Sequence, residues 1–382
     1  MLHDKRFPSP EYLLSRWKVG NIDSIGEYKK NTEGARFIAD ILLNDNDKRP
    51  IWLQAWGGVN TIAAALRIIQ DEHPEKMAEI AAKIRLYLIW EQDEAYQQYI
   101  RPNWEHYNIP TIISDQFDCM AYIWNKVLPN DIKVYFGKDW FSENLLNGKG
   151  ALCDAYPNKG GAFNGEGDTP AFLHSIDNGL RNMECPGYGG WGGRYVKVRN
   201  NVWMDPAPSK DYRHTEGQWC FGNSWSKQLE KANTPELIAI RTNYFRPLWR
   251  WMPAIQNDFA ARAVWCVKDY SSANHHPVVV VNQPDDIEVK AGDVIKMDAS
   301  DSFDPDADKL KINWWIYKEA GGYKGNMTLS VKNGKVRFKV PKDIKPNETI
   351  HLICEVSDNG TPSLTRYKRI ILHPVRKVKT IK

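Results

Sequence analysis

The sequence predicts an α/β fold, an open parallel sheet with helices on both faces, followed by an all-β immunoglobulin-like sandwich. Three observations lead there. Between Ile51 and Val127, short apolar runs alternate with amphipathic or alanine-rich helical stretches, and that order lays strands parallel. After Pro277 the texture changes to apolar–polar alternation cut by turn residues, and about a hundred residues of that rhythm suit a two-sheet sandwich. A chain of 382 residues also exceeds one ordinary domain. The boundary is expected at His276/Pro277, giving an α/β part over 1–276 and a sandwich over 277–382.

The elements follow in order. Pro10 to Lys18 reads as a short helix, and Thr32 to Asn44 as a longer one with Phe37, Ile38, Ile41 and Leu42 on one face. Ile51 to Trp56 is a buried strand that Gly57-Gly58 turns directly into the helix Thr61–Gln70. Met77–Lys83 is helical, Ile84–Trp90 a strand, Thr111–Ile113 a third strand and Cys119–Val127 a helix. Pro186 to Asn223 is rich in Gly, Trp, Tyr and Arg without periodicity, which predicts a long structured loop. Trp225–Leu229 and Pro235–Ile240 are helical, and Phe245–Val267 reads as one further helix. Strands are then expected at Val278–Val281, Asp286–Lys290, Val294–Met297, Ile312–Tyr317, Lys335–Val340, Ile350–Ser357 and Tyr367–Leu372. Among them, Asp304, Asp306 and Asp308 alternate in a way that serves either a turn or a calcium ion, and the turn is preferred.

Composition narrows the function. Lys and Arg total 51 against 47 Asp and Glu, a net charge of +4 too small and dispersed for a nucleic-acid partner. No stretch has the apolar length of a membrane span, and no secretory signal opens the sequence. The six cysteines form no CxxC spacing and decide neither compartment nor metal binding. Sixteen Trp and 17 Tyr supply flat rings that stack on sugars, although most such rings build cores.

The most informative stretch is Gly160 to Leu180, where small residues give way to a helix start at Thr169-Pro170. Glu166 and Asp168 stand where the two meet. A carboxylate there would face unpaired N–H groups and stay ionised, ready for a hard metal or a sugar hydroxyl. The plainer alternative is that Asp168 caps the helix. Ligands of parallel sheets bind beyond the carboxyl ends of the strands, which makes Asn60, Gln92 and Asp93 candidate sugar contacts. Asn60 could equally cap the helix that follows it. Tyr188, Trp191 and Trp203 are candidates for an aromatic sugar platform. Asp258 is a candidate second-layer group or an ion-pair partner of Arg262 four residues on.

Glu166-Gly167-Asp168-Thr169-Pro170-Ala171-Phe172-Leu173, with Asn178-Gly179-Leu180 and Gly190-Trp191-Gly192-Gly193-Arg194-Tyr195, resembles the bacterial cellulose-binding, nucleoside-hydrolase-like family. So do Trp56-Gly57-Gly58-Val59-Asn60-Thr61 and Gln256-Asn257-Asp258-Phe259-Ala260-Ala261-Arg262. The part after Pro277 resembles that family's C-terminal domain, of PKD or cadherin-like character. The resemblance implies a nucleoside-hydrolase-type domain, a relation to cellulose or another plant polysaccharide, and a periplasmic or extracellular location. It also implies a metal-assisted mechanism. Asp168 matches by motif position a late aspartate that ligates calcium, while Glu166 stands where nucleoside hydrolases have no fixed acid. The DxDxxxDD cluster of their first strand is absent, and Asp45 and Asp47 are its nearest imitation. The chain is therefore expected to begin part-way into the domain. Two functions remain open: hydrolysis of a glycosidic bond in a nucleoside or polysaccharide fragment, with Asp168 and Glu166 catalytic, or carbohydrate binding without catalysis.

Overall fold

The computed structural model describes residues 3–156, 158–159, 162–163, 165–220 and 224–375. The first half is built on a five-stranded sheet. Apolar runs form β1 (Ile51–Ala55), β2 (Ile84–Ile89) and β3 (Thr111–Ser114), and the chain later adds β4 (Val196–Arg199) and β5 (Val202–Met204). Their order is β1-β2-β3-β5-β4. The first four in that order run parallel, and β4 closes the edge antiparallel to β5. Strand β2 is buried on both faces (Leu86, Tyr87, Leu88 and Ile89 are at most 1% exposed), as expected of a central parallel strand.

Helices supply the covering layers. Preceded by α1 (Pro10–Arg16), α2 (Glu33–Leu43) is capped by Thr32, whose hydroxyl accepts from the Ala35 N–H at 3.2 Å. It packs on α3 (Asn60–Glu72), whose Ala63-Ala64-Ala65 run is fully buried and lets the two backbones approach. The short α4 (Met77–Lys83) leads into β2. The Cys119–Val127 helix of the sequence reading is instead a 3₁₀ turn, Gln116–Cys119, and one helical turn, Trp124–Val127. The aromatic stretch 186–220 holds β4 and β5 as well as loops. The single helix expected over Phe245–Val267 is two, α7 (Pro235–Trp249) and α8 (Met252–Trp265), after α5 (Thr169–His174) and α6 (Trp225–Leu229). Pro247 and Pro253 flank the break: Pro247 removes a donor from the ladder of α7, and Pro253 sits in the first turn of α8, where a proline starts a helix.

After residue 277 seven strands form two sheets. Strands β6 (Asp286–Val289), β8 (Lys311–Ile316), β11 (Ile350–Ser357) and β12 (Thr365–Pro374) make one in the order β8-β11-β12-β6. Strands β7 (Val294–Asp298), β9 (Ser330–Lys332) and β10 (Lys335–Lys339) make the other. All neighbours are antiparallel except β12 and β6. One core joins the faces, with Met297, Val336 and Phe338 against Trp314, Leu352, Cys354 and Ile370. Val278–Val281 forms only a single bridge, from Val278 to Phe303. The Asp304 carboxylate accepts from the N–H of Asp306 (2.8 Å) and of Asp308 (3.3 Å), so the acidic run is a turn.

Candidate functional site

The strand ends hold several of the expected polar residues in structural roles. Gly57-Gly58 brings β1 straight into α3, and Val59 in the cap position gives no side-chain bond. Asp93 caps in its place: its carboxylate accepts from the N–H of Asn60 (3.1 Å) and of Ala95 (2.8 Å). Both Asn60 and Asp93 are buried, and burial pushes the Asp93 carboxyl up. Asn60 is thus inside the helix rather than its cap, and its amide donates to the Ser24 carbonyl at 3.0 Å. Gln92 donates to the carbonyls of Ile89 (2.8 Å) and Trp56 (3.2 Å). These three side chains fix the strand-to-helix turns.

Beyond β3 lies an acidic network absent from the sequence reading. Asp115 accepts from Trp90 Nε1 (2.8 Å), the Ser226 hydroxyl (2.9 Å) and the Tyr244 hydroxyl (2.5 Å). Asp118 accepts from the same Ser226 hydroxyl at 2.7 Å and lies 3.6 Å from Lys227 Nζ. Asp205 accepts from the N–H groups of Asp115 (2.5 Å) and Gln116 (3.1 Å). All three are fully buried. Burial pushes the Asp118 carboxyl up to about 6 against the opposing pull of Ser226 and Lys227, and it raises Asp115 and Asp205 as well. The signal for this network was the run Ser114-Asp115-Gln116-Phe117-Asp118, acids placed directly beyond a buried strand. With no exposed surface, these carboxylates brace the sheet end from below.

The open site is a cavity of about 350 Å³ where three separated sequence motifs meet. Glu166, Thr169, Phe172 and Leu173 enter from the start of α5, Trp191 from the glycine turn, and Gln256, Asp258, Phe259 and Arg262 from α8. Tyr156 adds a further ring. Phe172 is 49% exposed and so presents a free face. Glu166 lies where burial and then the neighbouring Asp168 charge both raise its carboxyl, and burial raises Asp168 itself. Asp168 occupies the position before Thr169 but makes no capping bond with its side chain. The far wall is set by Asp258, which accepts from Arg262 Nε (2.5 Å) and His276 Nε2 (2.5 Å) and lies 3.4 Å from Arg366 Nη1. Burial opposes ionisation there, but the His276 hydrogen bond and the charges of Arg262 and Arg366 hold that carboxyl well below the usual range.

The expected aromatic platform is not assembled. Trp191 is 1% exposed and meets Tyr367 edge-on at 6.4 Å, so it forms a wall of the cavity. Tyr188 turns to His351 at 4.9 Å, under the Arg369 guanidinium at 5.4 Å. Trp203 lies on β5 with its indole N–H on Asn201 at 3.0 Å. The physical reason is the glycine turn: Gly190 and Gly193 exchange backbone hydrogen bonds of 3.0 Å, which folds the segment on itself and sends its rings in different directions. Among the described residues no three His, Cys, Asp or Glu side chains converge on a metal position, whereas calcium takes six to eight oxygens. Asp45 pairs with Lys76 at 3.1 Å and Asp47 with Arg49 at 2.6 Å. Residues Gly160, Gly161 and Asn164 of the motif stretch lie outside the described residues.

Comparison with known proteins gives this geometry its relatives. Residues 1–195 match the cellulose-binding Sde182, nucleoside hydrolase-like domain, and residues 294–374 match the C-terminal domain of the cellulose-binding protein Sde0182. No curated protein matches. A solved structure, that of a nucleoside hydrolase-related hypothetical protein from Saccharophagus degradans associated with carbohydrate metabolism, is 30% identical over 98% of this chain and 83% of its own, with a TM-score of 0.73. With half the chain under one family profile and a relative of that identity along nearly its whole length, the protein belongs to the cellulose-binding, nucleoside hydrolase-like family.

Proposed function

We propose that the protein binds a saccharide from plant cell-wall polysaccharide in the cavity between α5 and α8. The observation that carries this is the convergence of three motifs on one cavity that pairs ring faces with hydrogen-bonding side chains. Sugars present apolar C–H faces and hydroxyl edges, and Phe172, Phe259 and Tyr156 suit the first as Glu166, Thr169 and Gln256 suit the second. Binding insoluble cellulose fits an exported protein, periplasmic or extracellular, with its C-terminal part, about residues 277–382, as an immunoglobulin-type module.

A second reading, hydrolysis of a glycosidic bond, is favoured by one feature: a glutamate whose carboxyl is raised by burial and by Asp168 is suited to give a proton to a leaving oxygen. Here Glu166 would be the acid, and Asp168 would hold its proton by charge.

One experiment addresses both readings. Phe172→Ala removes a half-exposed ring, so it should weaken affinity for cello- or xylo-oligosaccharides roughly fivefold, equivalent to about 1 kcal/mol, with the melting temperature unchanged. Equal affinity in the variant removes the ring from the site. Assays for released reducing sugar from the same oligosaccharides, and for free base from nucleosides, test the second reading. It requires turnover that Glu166→Gln abolishes, and binding without turnover leaves the carbohydrate-binding reading alone.

A further inference from the structure

A second cavity, about 190 Å³, lies where the two halves of the chain meet, and its chemistry differs from the first. Arg194, Asn243, Arg246 and Arg250 line it from the α/β side, and Tyr317 and Glu319 from the sandwich, beside a proline-rich wall. Three guanidinium groups thus face one carboxylate. A single Glu319 oxygen serves two of them, at 2.5 Å from Arg246 Nη1 and 3.6 Å from Arg250 Nη1. Among the described residues, Arg194 makes no hydrogen bond and no ion pair.

The surroundings add positive charge. Lys324 is folded onto the carbonyls of Gly321 (2.6 Å) and Lys318 (3.1 Å), and its ammonium is disfavoured by burial and by Arg194. Asp205, the acid whose field reaches Arg194, is fully buried, does not line this cavity, and is engaged with the N–H groups of Asp115 and Gln116. The Arg246 and Arg250 guanidiniums and the stem of Arg194 are also held in place. Arg250 is stacked over Trp251 (5.1 Å), Trp315 (4.8 Å) and Tyr317 (4.6 Å). The Arg194 stem follows the Gly190–Gly193 turn and packs so tightly on Gly189 that a Cβ there would lie 2.8 Å from Arg194 Cβ. A concave site lined by three arginines against one carboxylate suits a planar oxyanion.

We infer that this interdomain cavity is a subsite for a carboxylate-bearing sugar, a hexuronate unit of an acidic polysaccharide, with Arg194 as its principal anchor. The proline-rich wall takes the ring's C–H face, Asn243 takes a hydroxyl, and Arg194 with Arg246 takes the carboxylate. Choosing a sugar as the carrier of that carboxylate rests on the saccharide reading of the first cavity. The excess of arginine does not depend on it.

The test is titration calorimetry on the full chain with galacturonate and glucuronoxylan oligosaccharides, neutral xylo-oligosaccharides of equal length, and inorganic phosphate. The acidic oligosaccharides should bind about tenfold or more tightly than the neutral ones, with the advantage shrinking as salt is raised. Arg194→Gln should remove that advantage while leaving neutral-oligosaccharide affinity and melting temperature unchanged, and Arg246→Gln should reduce it. Phe172→Ala should weaken the neutral ligands and leave the acidic advantage in place. Acidic and neutral oligosaccharides binding alike, or phosphate binding while the hexuronates do not, overturns the inference. If hexuronates bind through Arg194 and neutral sugars do not bind at all, the first cavity's reading fails and this one stands.

Discussion

Arg369 is fully buried, and each of the three nitrogens of its guanidinium meets an acceptor. It donates to the carbonyls of Leu180 (2.6 Å) and Gly189 (2.7 Å) in the α/β half and to His351 Nδ1 (2.8 Å) in the sandwich. That last bond requires a neutral imidazole, and burial followed by the Arg369 charge depresses His351 from 6.5 to about 3. Unfolded, the same ring takes a proton near its ordinary value. Between those limits the unfolded chain holds the extra proton, so this residue's contribution to stability falls as pH drops through that window. His351→Gln can still accept from Arg369 but cannot be protonated. The stability lost between pH 7 and pH 4 should therefore be smaller in the variant by about 3 kcal/mol. Denaturant unfolding at the two pH values measures it, and equal losses in both proteins contradict the assignment.

At the scale of elements, α3 illustrates how the strand-to-helix turns work. Its first N–H groups are satisfied across a chain gap by Asp93, and the fit is close: a Cβ on Gly58 would lie 2.1 Å from the Asp93 carboxylate. Asp93→Ala should cost about 1–2 kcal/mol in denaturant unfolding, the value of a lost cap, without changing saccharide affinity. Loss of affinity at unchanged stability would return Asp93 to the ligand site. A local pattern sufficed to predict α3 and β1 to β3, because uninterrupted apolar runs and Gly57-Gly58 fix them without distant partners. It failed for β4 and β5, which are three or four residues long and exist only by distant pairing, β5 on β3 and β4 on β5. Ser330–Lys332, exposed and held by β10 alone, is hidden for the same reason. Glu166, Asp168 and Trp191 stand out from their motif, whereas Phe172 reads as a core-facing position of its helix and Arg194 only as a motif member. Their roles depend on α8 and on the sandwich, 70 or more positions away, and no local period reports such proximity.

The molecule as a whole is joined along a polar and aromatic seam. The Asn178 carbonyl accepts from Tyr367 N–H and the Gly179 carbonyl from Arg369 N–H, both at 3.0 Å, so a loop of the α/β half lies along β12 as an added strand. Gly179 adopts φ +90°, and a Cβ there would lie 1.8 Å from the Tyr367 carbonyl oxygen. Asn257 donates to the Ser363 carbonyl at 2.9 Å, and Trp251 packs edge-on against Tyr367 at 5.4 Å. Halves tied in this way should unfold together. Calorimetry of the full chain is expected to give one transition, and Gly179→Ala should lower its midpoint through a loss of roughly 2 kcal/mol or more. Two well-separated transitions in the unaltered protein would show the seam to be weak. The parallel pair β6 and β12 has a different consequence. Asp286 to Val289 lie beside Ile371 to Pro374 in the same direction, so the sandwich is entered at one end of this pair and left at the other. A pulling force between those two points loads the ladder along its length, so its hydrogen bonds must shear together instead of opening one after another. That arrangement turns a four-residue strand into a mechanical clasp.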